Sequence, residues 1–370
     1  MSTSIQANKR NLNLDLIRTV AVYSVLSVHF FLNTEFYNTP ILGKKMYLAT
    51  IMRNMFMVCV PLFLLLTGYL MNKKTLTKSY YQGIKKTLIP YVIATLFILI
   101  FRIFVMKEHI SIFDMLINIT SFQHYSWYIE MYIELFLLIP FLNLIYSNLS
   151  NKHEKLILII TLLVLTTLPS LLNTFDFKTS NWFFYPASSN SYQKLVPSWW
   201  TNLYPLTYYY IGAYIQEFQN DITLSLKYNF ILLSFSLLIF GSYSYYRSYN
   251  SCFIWGNWCD WNGFGTVITT VLLFIYLLRI NLAVLPNFAK NCLVSISKLS
   301  LSIYLVSWIF DKYNYPILNL SVPVAADRLP FYFIIVPLNF LCGYVLSILI
   351  DKISTKLYDL SKKSTNKPLL

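Results

Sequence analysis

The sequence predicts an all-α protein, a polytopic bundle of about ten transmembrane helices with the N- and C-termini on the inner side. Three observations carry the prediction. Of the 370 residues, 56% are hydrophobic and only 12% charged, with a mean hydropathy of +0.54, whereas soluble domains carry about a quarter charged residues. Apolar runs near the ~20 residues needed to cross a bilayer recur along the whole chain. Lys and Arg concentrate in alternate breaks between those runs, as cytoplasmic segments require.

Hydropathy places the helices near residues 14–32, 51–71, 87–105, 126–147, 156–172, 199–216, 229–247, 262–282, 299–311 and 331–351. The first follows Lys9 and Arg10 as a signal peptide would. Asp15 and Arg18 interrupt its apolar run, however, and no small-x-small cleavage site follows, so it reads as a retained helix. The second and third flank a basic break that holds Lys73, Lys74, Lys78, Lys85 and Lys86, the strongest mark of an inner segment. The fourth to eighth are continuous apolar runs rather than alternating ones, which argues against strands. The ninth is the shortest. The tenth ends at a basic tail, and segments 1–13 and 352–370 are expected as cytoplasmic tails of a single domain, 1–370. With this orientation 18 of the 29 Lys and Arg fall inside and 10 outside, and Arg18 lies within the first helix.

The net charge of +14 is spread over short breaks rather than gathered in a stripe, so no nucleic-acid partner is expected. Membrane lipid is. The five cysteines show neither a CxxC motif nor metal-ligand spacing, and no metal site is expected. Cys252 and Cys259 share a short loop, which permits a disulfide if that loop faces an oxidising compartment. No internal repeat suggests the paired halves of many carriers. The outer segments, such as 106–125 and 173–198, are too short to be enzymes, so chemistry is expected among the helices.

Ionisable residues inside membrane helices are costly and mark functional sites by default. The first helix holds Asp15, Arg18 and His29. Arg18 and His29 are eleven positions apart, so at 100° per residue they share a face about 16 Å apart along the axis. That spacing suits a ligand with an anionic head at Arg18 and a reactive end deep in the membrane at His29. The plainer alternative is an arginine snorkelling to headgroups and a histidine capping a helix. Glu130 and Glu134 share one face of the fourth helix, where they can orient His29, bind acceptor hydroxyls, or pair with Arg53 or Arg102. All eight tryptophans fall on the outer side, as an aromatic belt or as a vestibule in which rings such as Trp127 stack on sugars.

DLIRTVAVYSVLSVHF resembles the first-helix signature of the type 3 membrane acyltransferases, an Arg followed by ten residues and a His. VPLFLLLTGYLM at 60–71, KKTLIPY at 85–91 and SWYIEMYIELFLLIP at 126–140 resemble later motifs of that family in the same order, so the likeness is dense over residues 12–147. The resemblance implies O-acylation, usually acetylation, of a surface glycan or related polymer from cytoplasmic acetyl-CoA or another acyl-CoA, with no permanently bound cofactor. His29 then matches the essential histidine and Arg18 its partner in acyl-CoA binding, supported by Asp15. Lys85 and Lys86 stand where many relatives carry two arginines for the CoA phosphates. Glu134 is a second catalytic candidate, and Trp127 an acceptor contact. A histidine suits the general-base step that an alcohol nucleophile needs at neutral pH.

The rivals are a proton-coupled transporter or flippase using His29, and a non-catalytic subunit of a polysaccharide export machine. A separate secreted esterase-like partner could complete the transfer. Residue usage rich in Ile, Leu, Asn, Lys and Tyr points to an AT-rich bacterial gene, hence to a bacterial plasma membrane.

Overall fold

The computed structural model describes residues 10–365, with side chains to Leu360. Lys9 and Lys367, which entered the charge balance, lie outside the described residues, as do the side chains of Lys362 and Lys363.

The first helix, α1 (Leu12–Asn33), begins where Asn11 accepts a hydrogen bond from the Asn13 amide, satisfying one of the free N–H groups of the first turn. The rest follow as α2 (Gly43–Phe56), α3 (Cys59–Met71), α4 (Lys78–Gln82), α5 (Lys85–Phe104), α6 (Ile112–Thr120), α7 (Trp127–Asn148), α8 (Lys152–Thr166), α9 (Leu168–Leu172), α10 (Tyr204–Phe218), α11 (Leu226–Ser248), α12 (Phe264–Arg279), α13 (Asn287–Ser321) and α14 (Tyr332–Thr365). Among the described residues there is no β-strand, only an isolated bridge between Ile41 and Tyr249.

Eight helical stretches are long and apolar enough to cross a membrane. This is a multi-pass membrane protein. The other two expected passages are α8, continued by α9, and α10, with 15 residues each in α8 and α10. Several bounds differ from the hydropathy reading. The second passage starts at Gly43, and the segment expected as an outer loop, 106–125, contains α6. The ninth passage runs 35 residues rather than 13, because Lys290, Lys298, Asp311 and Lys312 depress the local hydropathy without breaking the helix. The tenth continues to Thr365 through most of the expected tail.

Hydrogen bonds between passages set their levels. Asn13 donates to the carbonyls of Leu277 and Ile280, so α1 begins where α12 ends. Asn143 donates to the carbonyls of Met71 and Lys74, so α7 and α3 finish at the same end. Gly68 and Gly212 let α3 and α10 touch backbone to backbone: a Cβ on Gly68 would lie 1.9 Å from the Tyr209 carbonyl oxygen, and one on Gly212 2.1 Å from that of Leu65. Small residues permit such approach in membrane bundles, where apolar burial alone does not drive helices together. α1 sits centrally, packed by α3, α12, α13 and α14.

Candidate functional site

Arg18 and His29 line one cavity of about 620 Å³, walled by α1, α3, α7 and α13. Its middle is apolar, with Val25, Val28, Phe63 and Leu66. Its ionisable groups other than tyrosine sit toward the two ends, and the hydroxyls of Thr67, Tyr128 and Tyr304 line the wall as well. At one end Arg18 donates from Nη1 to the Ser297 hydroxyl at 3.0 Å, and Thr87 of α5 lies in the wall. At the other stand His29, His124, Tyr125 and Asp260.

His29 is buried, with Nδ1 3.3 Å from Oδ2 of Asp311 on α13. Asp311 is 1% exposed and held on both oxygens: Tyr125 donates its hydroxyl to Oδ2 at 3.0 Å, and Asn339 donates Nδ2 to Oδ1 at 2.7 Å. Asn314 donates in turn to Asn339, and Asn33 donates to the Tyr125 hydroxyl. The Tyr125 ring stacks on the imidazole with centroids 3.7 Å apart. Nδ1 is close to the carboxylate but makes no hydrogen bond in this geometry; an acid on that side favours the proton on Nδ1 and leaves the lone pair on Nε2. This is the tautomer a general base requires.

The Tyr125 segment reaches His29 through an unusual turn. After α6, Phe122 and His124 adopt φ of 49° and 59°, a left-handed region that costs energy for side-chain-bearing residues and concentrates at functional sites. The His124 ring lies tilted against Trp308 with centroids 4.6 Å apart, and its Nε2 lies 3.4 Å from Nη1 of Arg102.

Asp260 is the one carboxylate in the cavity wall among the described residues. Its Oδ1 accepts the Trp261 amide at 2.7 Å. Two stacked aromatic pairs flank it: Trp127 on Trp261 at 4.5 Å, and Tyr37 on Trp255 at 4.4 Å. Arg53, fully buried, fixes this corner by donating to the Cys259 carbonyl at 2.6 Å while its guanidinium stacks against Trp255 and Phe253.

The remaining sequence candidates separate. Asp15 is buried and paired with Arg10 at 2.7 Å, one turn from Arg18 but outside the cavity wall. Lys85 and Lys86 open α5 just before Thr87, half-buried and exposed respectively, and neither lines the cavity. Glu130 and Glu134 share an exposed face of α7, turned away from His29 and from the cavity. The alternative ion pairs do not form: Arg102 pairs with Glu108 at 2.6 Å, and Arg53 bonds a carbonyl and a hydroxyl and lies against aromatic rings, with Nη2 left without a partner. Cys252 and Cys259 are separate thiols, one exposed and one buried. The tryptophans do not form a simple belt, since Trp182 and Trp258 are buried against the guanidinium of Arg247 while Trp199 is 89% exposed. Among the described residues no cluster of His, Cys, Asp and Glu could hold a metal ion.

Sequence reading missed Asp311, Tyr125, Asn339, His124 and Asp260. Asp311 carried a usable signal, an acid in the apolar stretch SWIFDKY. The others are ordinary loop or helix residues until the fold gathers them.

No curated protein and no solved structure matches the chain. A family model described as an acyltransferase domain matches residues 11–349, nearly the whole length. A histidine beside a buried carboxylate in a cavity among the helices is equipment such a domain can use, and the chain belongs to the acyltransferase-3 family.

Proposed function

We propose that the protein transfers an acyl group, most simply acetyl, from cytoplasmic acyl-CoA to a hydroxyl of a cell-surface carbohydrate in a bacterial plasma membrane. The observation that carries the reading is the His29–Asp311 contact at the far end of the cavity that also holds Arg18. Acyl-CoA is a long ligand with anionic phosphates at one end and a thioester at the other. Arg18, a planar fork suited to phosphate, supports the anionic end, and Lys85 and Lys86, at the start of α5 just before Thr87 of the wall, add positive charge on that side. The apolar middle suits the pantetheine arm, which then spans the ~16 Å of α1 that separates Arg18 from His29.

Nε2 of His29 takes the proton of the acceptor hydroxyl as its oxygen attacks the thioester carbonyl carbon. The C–O bond forms, the tetrahedral intermediate collapses with breakage of the C–S bond, and the CoA thiolate receives that proton from the imidazolium. Asp311 holds the ring and balances its charge while it is protonated. Asp260 and its flanking aromatic rings offer the acceptor a hydrogen-bond acceptor and stacking faces.

The experiment is CoA release by the protein in lipid nanodiscs given acetyl-CoA and a panel of glycans, beside His29→Ala. Acceptor-dependent release that vanishes in the variant is expected. Substrate movement across a vesicle membrane without CoA release would replace this reading with the transporter.

A further inference from the structure

A second cavity, of about 700 Å³, lies between two helix pairs away from His29: α8 packs on α10, α11 packs on α12, and the cleft separates the pairs. Leu156 and Leu163 of α8, Ile215 and Phe218 of α10, Phe235 of α11 and Val271 of α12 are among its lining residues. Only Tyr214 and Ser236 bring a hydroxyl to the wall, and Ser236 already donates to the Leu233 carbonyl and contacts the Thr269 hydroxyl.

Protein interiors leave few voids larger than a water molecule, and a water needs two to four polar partners to stay. This cleft therefore suits neither emptiness nor water. The neighbouring faces of its walls are exposed and apolar, with Ile157, Ile160 and Val164 on α8 and Ile231 and Leu238 on α11, so the surrounding medium is hydrocarbon.

The end of the cleft toward the N-terminus of α11 is rimmed by charge. Arg279 lies one turn beyond Ile275 in the cleft wall, hence on the same face of α12, and is exposed. One of its N–H groups goes to the Leu224 carbonyl and the rest of the fork is open. Lys227, exposed in the first turn of α11, lies on the face turned away from the cleft-lining residues. Lys152 and Lys155 lie over the Phe218 ring and are paired with Asp221 and Glu217. The unpaired charge at the rim is thus positive.

We infer that this cleft is a binding site for one anionic glycerophospholipid, an acyl chain filling the apolar space and the phosphate held by Arg279. The volume is within the roughly 300–1,000 Å³ of ligand sites, and a cation near a membrane surface favours an anionic lipid by ~1 kcal/mol, a factor of about five. The inference is independent of the acyl-transfer reading.

Native mass spectrometry of the detergent-purified chain tests it, with dioleoyl phosphatidylglycerol and dioleoyl phosphatidylcholine titrated separately. One phosphatidylglycerol is expected to be retained in preference to phosphatidylcholine. Val271→Trp, which fills the cleft, should abolish retention. Arg279→Gln, at the surface and outside the packing, should leave the fold intact and reduce the preference about fivefold. Equal retention by wild type and Val271→Trp, no preference in the wild type, or an undiminished preference in Arg279→Gln would each overturn the inference.

Discussion

Nδ1 of His29 lies 3.3 Å from Oδ2 of Asp311, linking the first helix to the thirteenth across 282 residues of sequence. Asp311→Asn keeps the shape and the acceptor oxygen but removes the charge that steadies a protonated ring. The expected outcome is a fall in kcat of about 10²–10⁴-fold with little change in KM for acyl-CoA, measured by CoA release. A wild-type rate would make the contact merely structural.

This pairing shows where sequence reading stops. The shared face of Arg18 and His29 is visible because helix geometry is periodic and both residues are ionisable in an apolar run. The structure places both on one cavity. Asp311 belongs to another passage whose polar neighbours made hydropathy cut it short, and nothing local says which helix faces α1. Tyr125 and Asn339 become informative only through Asp311. Glu134 shows the reverse limit: the i, i+4 spacing to Glu130 correctly puts both on one face, but spacing cannot say that the face looks outward.

Asp260 is fixed by its neighbours, with Oδ1 taken by the Trp261 amide and the corner pinned by Arg53. If it receives acceptor hydroxyls, Asp260→Asn weakens charge-assisted hydrogen bonds worth about 1.5–3 kcal/mol. KM for a glycan acceptor should rise at least about tenfold while KM for acyl-CoA stays constant. A rise in both, or in neither, removes Asp260 from the acceptor site.

Gly68→Ala tests the packing that carries the cavity's α3 wall. The added methyl would sit 1.9 Å from the Tyr209 carbonyl oxygen, a backbone atom that cannot rotate away. The helices must separate, at a cost of about 1–3 kcal/mol or more. A drop in thermal stability with loss of activity is expected. Gly43→Ala, where no atom lies near the added group but φ is +79°, should instead act through local strain.

The 173–198 segment is organised by Asp176, which accepts the Thr179 and Ser189 hydroxyls and the amides of Lys178 and Thr179. These bonds, the two hydroxyls first, hold its carboxyl far below the usual carboxylate range. A depressed folded-state value means stabilisation that is complete above the ordinary aspartate pKa of ~3.9 and lost as the pH falls toward the folded value. Backbone protection in 173–198, read by hydrogen exchange corrected for intrinsic rates, should thus hold from pH 7 to about 5 and decline below ~4. Asp176→Asn should show reduced protection already at pH 7. Protection unchanged down to the lowest accessible pH in both proteins would mean the carboxylate does not organise the segment.

Arg18 offers the cleanest separation of donor binding from chemistry, because it stands at the other end of the cavity from His29 and bonds only the Ser297 hydroxyl among the described side chains. Its remaining donors are available to a ligand. Arg18→Lys keeps the positive charge and loses the planar fork that meets a phosphate with two parallel bonds. Acyl-CoA affinity, measured by calorimetry in nanodiscs without acceptor, should fall about tenfold, equivalent to ~1.4 kcal/mol, while turnover at saturating donor changes by much less. Ser297→Ala, which frees the guanidinium from its one protein partner, should weaken binding less than Arg18→Lys does, since the fork itself survives. Unchanged affinity in Arg18→Lys would return Arg18 to the role of a topological charge. A collapse of turnover at saturating donor would instead mean that the cavity couples its two ends more tightly than a simple head-and-tail arrangement requires.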